Sequence, residues 1–185
     1  FLLNKTKILF IQYVARDDIS IAIDFLEENH EEDENLLNLY KISNQPEKAY
    51  ELLDRLYRNT NNLDYLAQQA IFQFEMTNDK ESILNDVIAK FEKVLENISN
   101  HVYENYLAYI LIDFDIDVKK GLVLVKKALE VEPNNIAYID TLAWGEYKIR
   151  NCKEAYIQMK RVVDEIGTDD YDIKLHWDQI QECKE

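Results

Sequence analysis

The stretch GLVLVKKALEVEPNNIAYIDTLAWGEYKIRNCKEA, Gly121 to Ala155, decides how this chain folds. Its apolar residues recur at helical rather than strand spacing. Pro133-Asn134-Asn135 and Arg150-Asn151 cut the pattern into helices of ordinary length. Pro133 sits just past a helix ending Leu-Glu-Val-Glu, and Asn134 or Asn135 is suited to cap the next one. Breaks this short oblige successive helices to run antiparallel, so the unit is a helical hairpin.

The same unit recurs upstream. Asp140-Thr-Leu-Ala-Trp144 and Asn105-Tyr-Leu-Ala-Tyr109 both read polar-x-Leu-Ala-aromatic, 35 residues apart. The small residues Gly121 and Ala155 follow Ala108 and Ala143 at nearly the same distance. Ala22 and Ala49 open second helices in the same way, each followed four residues later by Leu26 or Leu53. Small residues at such places let two helix backbones approach closely. A fixed period of this length is the mark of a stacked repeat.

These residues resemble the tetratricopeptide repeat family. Ala128-Leu129, Pro133-Asn134-Asn135, Leu142-Ala143, Tyr147 and Ala155 fall where that family places its small, large and turn residues. Gly121 and Val162 depart from it where Ala is usual, as does Gly167 in place of a closing Pro. The match is specific over residues 102–185 and weaker toward Phe1. Asp140-Thr141-Leu142-Ala143-Trp144, with Asp172-Ile173-Lys174-Leu175-His176-Trp177 after it, is similar to a variant from repeat proteins of Gram-negative envelopes. That resemblance implies a periplasmic or envelope-anchored parent.

The whole chain reads as helix. Ten polar breaks delimit about eleven helices, and no linker rich in Pro, Gly or Ser divides them. The expected fold is all-α: a right-handed α-solenoid in one continuous domain, 1–185. It comprises about five antiparallel hairpins, at about 3–29, 33–59, 63–97, 102–131 and 136–166. A capping helix at about 170–184 closes the stack, with Ile173, Trp177 and Ile180 as its apolar stripe and Thr168 or Asp169 as its cap. The helix near Ile83 to Leu95 reads as longer than its neighbours. Phe1 is expected to lie inside a longer parent.

Composition narrows the function. Three Gly and two Pro disfavour strand-rich folds, and 47% hydrophobic residues disfavour disorder. A net charge of −15 repels nucleic acid and anionic lipid. No apolar run is long enough to insert into a membrane. A protein or peptide partner remains, basic or neutral in character.

In such a stack the first helix of each hairpin lines the concave face. The residues expected there for partner binding are Asp140, Trp144, Tyr147 and Lys148 in the fifth unit. The 35-residue offset adds Asn105, Tyr109 and Asp113 in the fourth, and Gln68, Phe72 and Glu75 are expected in the third. Asn and Gln suit a peptide backbone, while Trp and Tyr offer rigid contact area with a polar tip. The competing expectation is that the aromatic residues only pack against neighbouring helices.

No catalytic motif, cofactor fingerprint or metal spacing is found. Asp113, Asp115 and Asp117 alternate like the start of a calcium loop, but its required Gly and Glu positions hold Val118 and Leu124. His30, His101 and His176 lie far apart. The chain is read as a non-catalytic adaptor without cofactor. The alternative is a structural spacer or self-associating module of a larger envelope protein. Cys152 and Cys183 are expected as unpaired thiols, unless the cap runs antiparallel to the preceding helix and brings them together as a disulfide.

Overall fold

The computed structural model describes residues 11, 13, 14, 16, 18–29 and 33–183. Most of the first arm of the hairpin expected at 3–29, together with His30 and the far end of the expected cap, lies outside them. Among the described residues the chain is all-α. It divides into two compact units, 1–83 and 84–185.

The first unit holds α1 (Ile19–Glu28), α2 (Glu34–Ile42), α3 (Pro46–Thr60) and α4 (Leu63–Met76), followed by a 3₁₀ turn at Lys80–Ile83. Its core joins Ala22, Ile23 and Leu26 to Leu36, Leu37 and Tyr40, and these to Ala49, Leu52 and Leu53. Pro46 occupies the first turn of α3, where no N–H is needed.

The second unit holds α5 (Leu84–Leu95), α6 (His101–Asp113), α7 (Val118–Val131), α8 (Ile136–Lys148), α9 (Cys152–Ile166) and α10 (Tyr171–Gln181). At 12 residues α5 is shorter than α4 and α6, contrary to expectation, because the 3₁₀ turn takes the residues before it.

Helix ends in this unit repeat at a fixed interval. Asn100, Asn135 and Asp170 cap α6, α8 and α10, 35 residues apart, each accepting from two backbone N–H groups of the first turn. Asp170, rather than Thr168 or Asp169, is therefore the cap of α10. Asp115 and Arg150, also 35 apart, both take left-handed backbone just past α6 and α8. There the N–H of Ile116 reaches the Leu111 carbonyl, and that of Asn151 reaches Glu146. This is the reversal that stops a helix while satisfying its last carbonyls.

The capping register carries a buried stripe with it. Tyr103, Leu107 and Ile110 on α6 correspond to Tyr138, Leu142 and Gly145 on α8, and to Ile173, Trp177 and Ile180 on α10. Tyr138 and Leu142 pack with Leu122, Val125 and Ala128 of α7. Ile173, Trp177 and Ile180 pack with Ala155, Met159 and Val162 of α9. By register and packing, α10 stands as the first helix of another repeat.

Two carboxylates inside this unit are held by one helix. Glu104 of α6 and Glu146 of α8 are 1% and 3% exposed. Adjacent lysines of α7 reach them from outside, Lys127 to Glu104 and Lys126 to Glu146, the latter at 2.7 Å. Ser99 and Asn151 donate to the same carboxylates. Charges so enclosed need such partners, since the loss of one leaves the other buried and uncompensated.

Gly121, the departure from the usual Ala, has a steric reason. A Cβ there would stand 2.6 Å from Ile112 Cγ1 and 3.0 Å from the Ala108 carbonyl oxygen. A Cβ at Gly145 would instead meet mainly the outer ends of the Leu122 and Ile112 side chains. Gly121→Ala is expected to destabilise the chain by about 1–2 kcal/mol, because overpacking outweighs the roughly 1 kcal/mol gain in helix propensity. Gly145→Ala is expected to cost less. Chemical denaturation of both variants measures the order, and an unchanged midpoint for Gly121→Ala refutes the close approach.

Candidate functional site

The first helices of the second unit, α6, α8 and α10, gather the polar and aromatic residues singled out in the sequence. Asp140 and Trp144, expected to be left over for a ligand, are consumed by internal contacts. Trp144 is 5% exposed and Asp140 9%. The Trp144 indole N–H donates to Asp113 Oδ1 at 3.0 Å, across the step from α8 to α6. Its ring stacks on Tyr147 at 4.8 Å and on His176 of α10 at 4.2 Å. His176 is itself buried, with Nδ1 2.9 Å from Asp140 Oδ1.

His176 is the residue that sequence reading missed. As part of a cap it has no evident role. Counted from the Asp170 cap, it stands where a repeat's first helix faces the first helix before it. The 35-residue interval from Asn100 and Asn135 to Asp170 was the available signal.

The remaining candidates are half-buried. Lys148 binds the Asp113 carbonyl oxygen at 3.2 Å and Asp115 Oδ2 at 2.7 Å, and lies over the Trp144 ring. Asn105 has a buried Oδ1 with no hydrogen-bond partner among the described residues. Its counterpart one repeat on is Asp140, which has His176. Thr141, which holds on α8 the register position of His176, donates its hydroxyl to the Ala137 carbonyl within α8.

Tyr109 concentrates the electrostatics of this face. Burial, above all, pushes its phenol well above the ordinary value; Asp113 and Asp172 add to the shift, as do a hydrogen bond to Asp113 and the charge of Asp140. Three carboxylates on three successive first helices thus act on one hydroxyl. The aspartate triplet resembling a calcium loop is dispersed among structural tasks. Asp113 accepts from Trp144, Asp115 terminates α6, and Asp117 caps α7 by accepting from the Lys120 backbone N–H. No group of side chains suited to a metal ion occurs among the described residues.

In the first unit, Gln68 and Phe72 of α4 lie opposite Lys41 of α2. Lys41 donates to Gln68 Oε1, Gln68 donates to Asp64 Oδ2, and the Lys41 ammonium lies 5.7 Å from the Phe72 ring centre. Burial lowers the Lys41 ammonium below its ordinary value, against the opposing pull of Asp64 and Glu34. Phe72 and Glu75 also border a surface hollow of about 310 Å³ with Asn44, Pro46, Ile71 and Met76.

At the far end of the second unit, Cys152 and Cys183 are joined as a disulfide with a Cα–Cα separation of 5.5 Å, not left as two thiols. The geometry that permits it is the antiparallel course of α10 against α9.

No family model matches the chain, and no curated protein matches it in sequence. Similarity to solved structures is clear. A MamA fragment from Desulfovibrio magneticus RS-1 superposes with TM-score 0.61 at 15% identity, covering 81% of this chain and 92% of its own. TTC0263, a thermophilic tetratricopeptide protein of Thermus thermophilus, gives 0.60 at 15% identity over 94% and 96% of the two chains. YrrB, described as a tetratricopeptide protein with an unusual peptide-binding site, gives 0.60 at 16% identity over 87% and 91%. The fold is the α-solenoid of tetratricopeptide proteins.

The Tyr109 environment has a measurable consequence. An unfolded chain ionises this phenol near pH 10, whereas the folded chain holds it neutral to higher pH. Stability is therefore intact below that pH and falls as pH rises above it, because the folded state then binds more protons than the unfolded one. Denaturation profiles on either side of pH 10 are expected to show a shallower alkaline loss for Tyr109→Phe than for the native chain. Equal slopes refute the assigned environment.

Proposed function

We propose that this chain is a non-catalytic scaffold that docks a polypeptide on the first-helix face of its repeats. The observation that carries this reading is the Tyr109 region. It is a half-buried phenol on which carboxylates from three successive first helices, Asp113, Asp140 and Asp172, all act. Repeat stacks create a surface that no single hairpin has, and residues beyond packing needs lie along it.

Charge specifies the partner further. With a net charge of −15 and Asp113, Asp140 and Asp172 acting on one point, the face favours a basic or donor-rich segment. Solved neighbours of the same fold include one described by its peptide-binding site, which supports the reading by analogy of fold. A disulfide persists in oxidising compartments, and this favours a periplasmic or envelope setting.

The test is recovery of partners from the source cell by the immobilised chain. Asn105→Ala combined with Asp172→Lys is expected to reduce recovery at least tenfold, with the loss greatest at low salt. Val123→Ala, on the exposed side of α7, is expected to retain it. Equal recovery by the folded double variant rejects the face. Light scattering of the chain alone covers the remaining reading, since a concentration-dependent dimer points to self-association instead.

A further inference from the structure

We infer that α10 is a lid over α8, latched by the Cys152–Cys183 disulfide and released by reduction. Its consequence for docking rests on the role proposed above, since α10 carries Asp172 and its departure dismantles that face; its movement does not rest on that role.

The lid is defined by what it covers. His176 fills the space above Asp140 and Trp144, so these two residues meet another molecule only when α10 leaves. No other hydrogen bond from α10 to α8 is found among the described residues. The helix is short, at 11 residues, and its apolar hold on α9 is limited to Ile173, Trp177 and Ile180.

The outer face of α10 is solvated. Ile136, Ile139, Ala143 and Tyr147 of α8 pack toward α9, the second helix of their own hairpin. The matching positions on α10 are Tyr171, Lys174, Asp178 and Glu182, all exposed, with Lys174 and Asp178 paired at 2.5 Å. With that face solvated, α10 is held by α8 through His176 and by α9 through its apolar stripe, and the covalent tie adds to both.

The tie is placed for chemical opening. A groove of about 420 Å³ borders both cysteines, with Lys153, Tyr156, Ile157, Ile180 and Gln181 around it. Cys183 is half-buried and Cys152 is 7% exposed, so the less buried residue, Cys183, is assigned as the point of attack. A dithiol reductant attacks Cys183 Sγ there. The S–S bond breaks, and its electron pair leaves on Cys152 Sγ. Cys152 is the first residue of α9, where the helix terminus favours a departing thiolate. The reductant's second thiol then attacks the mixed disulfide and expels Cys183. Two electrons have passed to the protein, each cysteine takes up a proton, and the reductant leaves as a disulfide.

Hydrogen exchange on the full chain, oxidised and then treated with dithiothreitol, tests the latch. The bond closes a loop with a sequence separation of 31. Its loss is expected to speed exchange of the 171–181 amides about a hundredfold, while α6 and α7 keep their protection. Cys183→Ser is expected to behave like the reduced chain. Unchanged protection of α10 overturns the latch. So does loss of protection throughout residues 84–183 at once, which makes the bond a general staple. If Cys183→Ser does not fold, reduction of the native chain still decides between these outcomes. Partner recovery that depends on Asn105 and Asp172 but not on reduction separates failure of the lid from failure of the docking face.

Discussion

The second unit depends on how closely α6 and α7 approach. Gly121 faces the Ala108 carbonyl and Ile112 with no room for a Cβ. Ala108 and Ala128, both fully buried, keep the same seam narrow. That proximity brings Leu122 and Val125 within reach of Tyr138 and Leu142, and so fixes where α8 lies. From α8 the placement passes to α9 through Ala143 and Ala155, and from α9 to α10 through Met159 and Val162. A well-packed interior transmits a displacement instead of absorbing it. An extra methyl at Gly121 would therefore be felt as far as the Trp144–Asp113 bond, with no contact to either residue.

Close packing explains why polar residues stand where they do. With α7 narrow on its inner side, its lysines are left on the flanks. Lys126 and Lys127, adjacent in sequence, turn to opposite neighbours and neutralise a buried glutamate on each. Such pairs add little net stability compared with apolar residues of the same size, but they penalise any register that leaves a carboxylate unpaired. Trp144 acts in the same sense. Its indole N–H has an acceptor only if α8 lies at the correct step along α6.

Much of this was legible in the sequence because it follows from period and residue size. The 35-residue echo of Asn105-Tyr-Leu-Ala-Tyr109 in Asp140-Thr-Leu-Ala-Trp144 identified the first helices. Gly121 and Ala155 identified the seams. What stayed hidden was which side chains the fold itself would use. Trp144 and Asp140 look like spare recognition residues until α10 supplies His176, and helical periodicity alone does not say which residue of α10 faces α8. The cysteine pairing was hidden for a related reason, since it needs the direction of α10 and not merely its existence. The 3₁₀ turn before α5 was likewise invisible to apolar spacing, which does not distinguish it from a first helical turn.

The repeat register also explains why α10 resembles the first helices before it. It keeps the inherited cap at Asp170 and the inherited stripe of Ile173, Trp177 and Ile180, so α9 receives it as it would any next repeat. Only the other side has changed. Where α8 carries Ile139 and Ala143 toward a partner helix, α10 carries Lys174 and Asp178 toward water. A helix face turned to water is polar because an apolar one would be left wet. The same substitution removes the packing that holds α8 on two sides, and this makes α10 the least secured first helix of the unit. The covalent tie thus stands where the apolar support of a first helix in this unit is thinnest.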